Sequence, residues 1–362
     1  MQKPSTVYVG LGSNLGDREN YIKKALENLA KRPDIKIAGQ SDLIQTSPLG
    51  GVEQPDYINA VGRVETTLSA RDFFVQLMDT EKTLGRIKGK KWSSRPIDLD
   101  LLLFDSEVIH SPELTVPHPQ MHLRSFVLKG LCQLDSKLVH PVLKVTVKEL
   151  LQRLGGRDFV LEPDRPQLIN IAGNIGVGKT TLTRSLSEIL NCKFIFEEYG
   201  KNPFMPEVYA GKRELALDSQ LFFLTSRSRQ LYFEVLAPGQ IAVSDYIFEK
   251  ELIYAKRLLN EKQLALYDKI YHRFENEHIQ PVLVIYLKDS VENCLKRIRK
   301  RNRPYEQGIE PDFLEKLGSD YDEFFKGWKN SPVVKVNMSQ FEASVKSDLL
   351  HLVNQVKCYI VV

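Results

Sequence analysis

The chain has 362 residues, of which 42% are hydrophobic and 27% carry a charge. A single hydrophobic core seldom grows beyond about 250–300 residues, so this length predicts two domains with the composition of ordinary globular proteins. The net charge of +4 is too small by itself to indicate a nucleic-acid or membrane partner.

The first half alternates strand and helix signals. Apolar residues at helical spacing predict a helix over 17–31, and Ser69 is expected to cap a second helix. Extended runs predict strands at 6–11, 35–46, 57–65 and 97–104. The resulting order, β-α-β-β-α-β, predicts an α+β ferredoxin-like N-terminal domain.

A break in this pattern divides the chain. The stretch GGRDFVLEPDRPQ is rich in glycine, proline and charge and has no periodicity, which is typical of a linker. We therefore expect domains over 1–158 and 167–362, joined by a linker over 159–166. Buried-looking strands follow at 168–172, 193–197, 241–244, 282–287 and 333–336. Helical stretches separate them, which predicts an α/β domain with a parallel five-stranded sheet.

The second half opens with a phosphate-binding loop. After the first strand the chain reads GNIGVGKT, which fits the pattern G-x-x-x-x-G-K-[ST] in full, and an amphipathic helix follows. Backbone N–H groups of such a loop point at phosphate oxygens, the lysine neutralises the β and γ phosphates, and the threonine holds Mg²⁺. The expected ATP-binding residues are Gly173, Asn174, Gly176, Gly178, Lys179 and Thr180.

Two acids stand at the ends of predicted strands in this domain. Glu197 and Asp245 can each take a proton from a substrate hydroxyl or organise Mg²⁺. Taken singly, a strand-end acid is as easily a solvated terminus or a helix cap, so position alone leaves both interpretations open.

The segment FEEYGKNPF resembles the E-x(4)-N-P segment of bacterial deoxyadenosine and deoxyguanosine kinases. The resemblance implies that Glu197 is the base acting on the nucleoside 5′-hydroxyl, with Glu198 as a close competitor. It also implies that Gln220 and Arg227, on one helical stripe, read the edge of the base, and that Tyr209 touches the 3′-hydroxyl.

The basic run KRIRKRNRPYEQG resembles the lid of the same family. Arg297, Arg301 and Arg303 would close over the transferring phosphate, and Glu306 would bind the 3′-hydroxyl. Because acidic residues stand close by, the run does not read as a nucleic-acid footprint. One departure concerns the third strand, where many members carry Glu/Asp-Arg-Ser and this chain has Ser-Asp-Tyr. Asp245 can still serve Mg²⁺, but Tyr246 cannot do the work of a phosphate-binding arginine.

The most informative stretch of the first half is RPIDLDLLLF. On a strand, Asp98 and Asp100 project to one face, while Leu99 and Leu101 project to the other. Two adjacent carboxylates repel one another unless cations lie between them. The pair suits two Mg²⁺ ions about 3.5–4 Å apart that clamp polyphosphate oxygens.

Four segments place this aspartate pair in a known family. The chain resembles 6-hydroxymethyl-7,8-dihydropterin pyrophosphokinase in four motifs that follow one another in the family's order. These are GLGSNLG, QPDYINA, GR-x(8)-RPIDLDLLLF and VPHP. The resemblance implies catalytic roles for Arg86 and Arg95. It implies ATP-binding roles for Glu81, Trp92, His118 and Arg124. The residues implied to hold the pterin are Thr46, Pro48, Leu49, Asn59 and Phe126.

Together these features predict a bifunctional ATP-dependent kinase, with two Mg²⁺ ions in the N-terminal site and one in the C-terminal site. The expected substrates are hydroxymethyl-dihydropterin, a deoxynucleoside (by preference a purine) and ATP. Two alternatives remain for the second half. One is a kinase of a nucleoside monophosphate or another small metabolite, and the other is a non-catalytic nucleotide sensor. We expect a cytoplasmic protein, since long apolar stretches are absent and the four cysteines lie far apart. By analogy with the kinase family, it would dimerise through the C-terminal domain.

Overall fold

The computed structural model describes residues 3–49, 53–86, 94–343 and 345–361. The chain divides into two units, Met1–Val160 and Leu161–Val362. Within the described residues, no helix is both long enough and apolar enough to cross a membrane.

The N-terminal unit is built on an antiparallel sheet. Its strands are β1 (Ser5–Ser13), β2 (Ile35–Gln40), β3 (Ile44–Thr46), β4 (Tyr57–Thr66) and β5 (Asp98–Phe104). They follow the order β2-β4-β1-β5, and β3 also pairs with β4. A short hairpin, β6 (Ile109–His110) and β7 (Thr115–Val116), follows. The helices are α1 (Arg18–Ala30), α2 (Ala70–Thr83), α3 (Ser125–Asp135) and α4 (Val147–Arg153).

The two faces of this sheet pack against different helices. Leu99 and Leu101 of β5 belong to a core that also contains the apolar stripes of α1 and α2. The opposite face carries the aspartates of β5 and receives α3. This helix lies so close to β4 that a Cβ atom at Gly130 would stand 2.6 Å from Cγ2 of Val61. The period-two pattern of β5 therefore places Leu99 and Leu101 in this core and Asp98 and Asp100 on the α3 side.

The C-terminal unit contains the predicted parallel five-stranded sheet. Its strands are β8 (Gln167–Gly173), β9 (Lys193–Ile195), β10 (Ile241–Ser244), β11 (Leu283–Lys288) and β12 (Val333–Asn337). They follow the order β12-β11-β8-β10-β9. The helices are α5 (Lys179–Leu190), α6 (Met205–Tyr209), α7 (Ala216–Leu231), α8 (Lys250–Leu258), α9 (Glu261–Phe274), α10 (Val291–Arg301), α11 (Pro311–Lys326) and α12 (Lys346–Lys357).

The central strand β8 is buried along its whole length, as a strand covered on both faces should be. One strand is shorter than the sequence indicates, since β9 ends at Ile195 and not at residue 197. The reason is local. The backbone N–H of Glu197 donates to Oδ1 of Asp245, 2.9 Å away, and not to a neighbouring strand, so the chain leaves the sheet here. This departure brings the two strand-end acids together.

Two candidate active sites

A cavity of about 360 Å³ opens beside the aspartate pair of β5. In the register of β1 and β5, Gly12 stands opposite Asp98 and Gly10 opposite Asp100. The glycines leave the carboxylates open to the cavity, because no side chain of β1 covers them. A Cβ atom at Gly12 would also lie only 3.1 Å from Oδ1 of Asn59. The GLG sequence of β1 thus makes room for whatever the two carboxylates hold.

Cationic side chains surround this pair. Arg86 and Arg95 reach Oδ1 of Asp98 at 2.7 and 3.0 Å, and Arg124 donates to Oδ2 of Asp100 at 3.1 Å. Burial and the nearby Asp100 charge raise the pKa of Asp98. Burial also works against the charged form of Asp100, but His118 and Arg124 outweigh it, so the pKa of Asp100 is lowered. Such a concentration of positive charge suits a polyanionic ligand.

The remaining wall of the cavity carries the residues expected to hold a pterin. Asn59 donates from its amide to Oγ1 of Thr46 at 2.8 Å. All five predicted side chains line the same cavity as the aspartates, namely Thr46, Pro48, Leu49, Asn59 and Phe126. The structure also adds Tyr57, which the sequence analysis missed and which lines the cavity as well. The period-two spacing from Asn59 along β4 could have identified it.

Of the expected ATP-binding residues of this half, Glu81 has a different position and Trp92 lies outside the described residues. Glu81 is not among the described residues that line the cavity. Its carboxylate accepts the N–H of Leu99 at 2.7 Å and contacts Arg86, and burial raises its pKa to about 7. Glu81 therefore links α2 to β5, and its contact with Arg86 helps to fix the position of that guanidinium.

In the C-terminal unit, the phosphate loop joins β8 to α5. Gly173, Gly176 and Gly178 all have positive φ, at 139°, 76° and 110°, a region that side chains with a Cβ rarely enter. Lys179, at the start of α5, donates from Nζ to the carbonyls of Gly173 and Asn174 at 2.9 and 2.8 Å. Burial, reinforced by the neighbouring charge of Lys250, lowers the pKa of Lys179 to about 7.

The two predicted magnesium ligands of this unit are in contact. Thr180 donates from Oγ1 to Oδ2 of Asp245 at 2.7 Å. The described residues contain no group of three or more histidine, cysteine, aspartate or glutamate side chains placed to hold a metal ion. Mg²⁺ is usually held by one or two carboxylates, with phosphate and water oxygens completing its shell. The Thr180–Asp245 and Asp98–Asp100 donor sets therefore fit Mg²⁺ that arrives with a nucleotide.

The geometry separates the two neighbouring glutamates. A pocket opens in the C-terminal unit beside the phosphate loop, and Glu197 lines it. Glu197 contacts Arg227, and its two carboxylate oxygens accept from Nζ of Lys250 at 3.0 and 2.7 Å. Glu198 accepts the hydroxyl of Ser226 at 2.8 Å, pairs with exposed basic side chains, and is not among the described residues that line the pocket. Only Glu197 of the two is placed to meet a substrate in this pocket.

Most of the expected nucleoside and lid residues share that pocket. Tyr209, Gln220, Arg227, Arg301, Arg303 and Glu306 all line it. Arg301 and Arg303 both donate to Glu306, at 2.5 and 3.3 Å. Arg303 also contacts the hydroxyl of Tyr199 and lies 3.9 Å from the centre of its ring.

Arg297, the remaining lid arginine, lies elsewhere. It donates to the carbonyl of Gly176 at 3.3 Å and pairs with Asp289 at 2.7 Å, so it braces the phosphate loop from outside the pocket. Three pocket-lining residues that the sequence analysis missed are Tyr199, Lys250 and Tyr254. Burial raises the pKa of Tyr254 and lowers that of Lys250.

In both units, cationic side chains surround acids whose oxygens suit Mg²⁺, an arrangement typical of transferases of phosphorus-containing groups. The family model described as "Deoxynucleoside kinase" matches residues 169–360. The model described as "7,8-dihydro-6-hydroxymethylpterin-pyrophosphokinase" matches residues 8–136. The chain belongs to both families, the pyrophosphokinases through its first half and the deoxynucleoside kinases through its second.

Individual relatives cover the same halves. The chain is 34% identical over 155 residues to a Haemophilus influenzae 2-amino-4-hydroxy-6-hydroxymethyldihydropteridine pyrophosphokinase, a match that covers 43% of this chain and 96% of that protein. It is 40% identical over 157 residues to Bacillus subtilis deoxyguanosine kinase, covering 42% of this chain and 76% of that protein. A solved deoxyadenosine kinase of M. mycoides with bound dCTP is 24% identical, with a TM-score of 0.46 over 52% of this chain and 98% of its own.

The family memberships give the protein its two activities. It combines a pyrophosphokinase with a nucleoside kinase in one chain. Both families use ATP together with Mg²⁺, which agrees with the donor sets found in the two sites.

Proposed function

We propose that the N-terminal unit transfers the β,γ-pyrophosphoryl group of ATP to the hydroxymethyl group of 6-hydroxymethyl-7,8-dihydropterin and releases AMP. The C-terminal unit transfers the γ-phosphate of ATP to the 5′-hydroxyl of a deoxynucleoside and releases ADP. The observation that carries both proposals is that each unit gathers acids, cations and ligand-reading side chains around a single cavity.

In the N-terminal site, Asp98 and Asp100 would hold two Mg²⁺ ions, which screen the triphosphate. Arg86 and Arg95 would stabilise the charge that develops during transfer, because both already reach this carboxylate pair. His118 and Arg124 would hold ATP on the Asp100 side, with Trp92 covering the nucleotide and Glu81 acting through Arg86.

The pterin would lie against the opposite wall of that cavity. Its flat, polar ring needs an apolar face and an edge reader, which Phe126 and Asn59 supply. Thr46, Pro48 and Leu49 complete this wall, and the contact between Asn59 and Thr46 fixes the amide.

In the C-terminal site, Glu197 would accept the proton of the 5′-hydroxyl while Asp245 and Thr180 hold one Mg²⁺ on the phosphates. Arg301 and Arg303 would stabilise the transferred phosphoryl group, with Arg297 supporting the loop beneath it. The nucleoside would be read by two sets of side chains, Gln220 with Arg227 at the base and Tyr209 with Glu306 at the 3′-hydroxyl. A purine base is proposed because the relative from B. subtilis is named a deoxyguanosine kinase.

An assay that separates AMP from ADP tests both halves in the intact chain. ATP and Mg²⁺ are supplied with hydroxymethyl-dihydropterin or with each of the four deoxynucleosides. AMP with the pterin alone, and ADP with one or more deoxynucleosides, is the expected result. ADP from a nucleoside monophosphate, and none from any deoxynucleoside, would replace the second proposal.

The proposed base is tested by a matched pair of substitutions. Glu197→Gln should lower kcat for deoxynucleoside phosphorylation by about 10²-fold or more, since a positioned general base contributes roughly 10²–10⁴-fold. Glu198→Gln should leave kcat within about 3-fold of the original value, because Glu198 contacts Ser226 outside the pocket. A large loss in Glu198→Gln alone would transfer the role to Glu198.

Three coarser features belong to the same proposal. The strand order β2-β4-β1-β5 with α1 and α2 on one face supports a ferredoxin-like N-terminal domain over 1–158. Residues 159–166 would then link it to a P-loop domain over 167–362. We further propose a cytoplasmic homodimer joined through the C-terminal domain, with small molecules and not nucleic acid or membranes as partners. Light scattering at several protein concentrations tests the dimer.

A further inference from the structure

We propose that Lys250 is a positioning residue for phosphorylation of the 5′-hydroxyl. It holds the carboxylate of Glu197 ready to accept the proton, from a place in the fold that the sequence analysis did not consider. The inference rests on the proposed function of the C-terminal unit, and its closing experiment separates failure of one from failure of the other.

The contact between Lys250 and Glu197 is bidentate and buried. Nζ of Lys250 lies 3.0 Å from Oε1 and 2.7 Å from Oε2 of Glu197, and the two side chains are 9% and 12% exposed. Removing an ammonium group from water costs hydration free energy, which a well-placed anion must offset. A charged side chain is therefore retained here only with such a partner, and Glu197 is the partner. The same contact leaves the carboxylate little freedom to rotate.

Arg227 also contacts Glu197, but its charge is shared. Its guanidinium contacts Glu251, whose side chain is 0% exposed and also accepts the hydroxyl of Tyr267. The fully buried carboxylate of Glu251 thus compensates part of the charge of Arg227. Lys250 lines the same pocket as Glu197. Of the two described cations that contact the Glu197 carboxylate, Arg227 also contacts Glu251, whereas Lys250 does not.

The position of Tyr246 explains why the cation comes from α8. Tyr246 directly follows Asp245, yet it is 0% exposed and belongs to the hydrophobic core. Its hydroxyl donates to Oε1 of Gln230 at 2.8 Å, and Gln230 in turn donates to the carbonyl of Phe196. The residue after the strand-end acid is therefore committed to the core.

Lys250 begins α8 four residues after Tyr246 and lines the pocket. Its Nζ lies 4.9 Å from the centre of the Tyr254 ring, which fixes the side chain from the next turn of the helix. The pocket thus receives a cation although the position after Asp245 provides none.

The role is compatible with the balance of the reaction. The 5′-hydroxyl proton passes to Glu197, a bond forms between the 5′-oxygen and the γ-phosphorus, and the bond from that phosphorus to the β,γ-bridging oxygen breaks as ADP leaves. Lys250 neither gives nor takes a proton in this balance. It acts on the orientation of Glu197, so its removal should affect turnover more than nucleoside binding.

The test compares Lys250→Met, Lys250→Arg and Lys256→Met in the full chain, by steady-state kinetics and by calorimetric titration with the preferred deoxynucleoside. Loss of a preorganised charged contact at a reacting centre lowers kcat by roughly 10²-fold, so Lys250→Met should show about that loss. The dissociation constant of the nucleoside should stay within about 3-fold, and Lys250→Arg should recover at least about a tenth of kcat, because arginine retains the charge. Lys256→Met is the control, since Lys256 is exposed on the same helix.

Each outcome decides between the alternatives. Lys250→Met with kcat within about 3-fold of the original value would overturn the inference. Equal loss in Lys250→Met and Lys250→Arg, together with loss of nucleoside binding, would also overturn it and assign Lys250 a role in folding only. If the original chain forms no ADP with any deoxynucleoside, the proposed function itself fails, and the inference fails with it.

Discussion

Replacing Glu251 by alanine should destabilise the C-terminal unit strongly, although Glu251 is not among the described residues that line the pocket of this unit. The Glu251 side chain is 0% exposed and contacts both Arg227 and the hydroxyl of Tyr267. Arg227 is 3% exposed, and the ring of Phe223 lies 4.9 Å from its guanidinium carbon. Without Glu251, half of this guanidinium would face apolar and aromatic groups.

The magnitude follows from what is left behind. Removing one partner of a buried ion pair typically costs about 3–5 kcal/mol, since the other charge stays buried. Glu197 still compensates Arg227 in part, whereas the Tyr267 hydroxyl loses its acceptor, worth about another 1 kcal/mol. We expect a loss near 4 kcal/mol, which for a unit of this size lowers the melting temperature by roughly 10 °C.

Tryptophan fluorescence can isolate the relevant transition. The chain contains two tryptophans, Trp92 in the first unit and Trp328 in the second. In a Trp92→Phe background the signal follows Trp328 alone, which is 6% exposed and donates to the carbonyl of Ser331. The control is Glu323→Ala, which removes an exposed pair with Lys326 and should leave the free energy of unfolding almost unchanged, because solvent screens this pair.

A change in Glu251→Ala as small as that of the control would refute the reasoning, because it would show that the buried charge is not held by Glu251. A second variant, Arg227→Met in the Glu251→Ala background, removes the uncompensated guanidinium. It should be less destabilised than the sum of the two single variants, since the two side chains share one interaction.

Two further predictions concern backbone conformation and pH. Gly176→Ala should abolish ATP-dependent ADP formation, because φ of residue 176 is +76° and the new Cβ would lie 2.5 Å from the carbonyl oxygen of Cys294. Nucleoside binding, measured by calorimetry, should be retained. Burial lowers the pKa of His140 to about 3, and its Nδ1 accepts the N–H groups of Val142 and Leu143. As the pH falls, the unfolded chain therefore binds a proton at His140 at a higher pH than the folded chain does. Its contribution to stability is complete above about pH 6.5 and falls by about 1.4 kcal/mol per unit below it. Because Glu81, whose pKa is raised to about 7, has the opposite pH dependence, the slope is measured as a difference: the free energy of unfolding of the original chain minus that of His140→Asn, from urea titrations at pH 4 to 7, should rise with pH, and a pH-independent difference would refute the assignment.

The sequence was sufficient where a pattern and its chemistry coincide in one segment. The phosphate loop fits a strand-loop-helix pattern, and its glycines have the positive φ that such a loop requires. The alternation around Asp98 and Asp100 was enough to place the carboxylates on one face and the leucines in the core. Local periodicity decides these features, so no distant contact is needed to infer them.

Features that depend on distant partners could not be read from the sequence. Glu197 and Glu198 are adjacent acids, and only Ser226, far along the chain, shows which one turns away from the pocket. Lys250 reads as an ordinary charge at the start of a helix until its contact with Glu197 is seen. Glu81 likewise resembles a ligand residue, yet its carboxylate accepts a backbone N–H of β5.

The two sites differ in how the distance between their proposed metal ligands is fixed. Asp98 and Asp100 stand on one strand, which pairs with β1 through the glycines opposite them. Two residues of strand span about 6.8 Å, so backbone hydrogen bonding sets the separation of these carboxylates. Thr180 and Asp245 come from separate segments, one at the start of α5 and one after β10. A shift of α5 against the sheet can adjust the C-terminal ligand distance, whereas the N-terminal distance changes only if strand pairing itself does. Ions of different radius should therefore be tolerated less well by the pyrophosphokinase half than by the nucleoside kinase half.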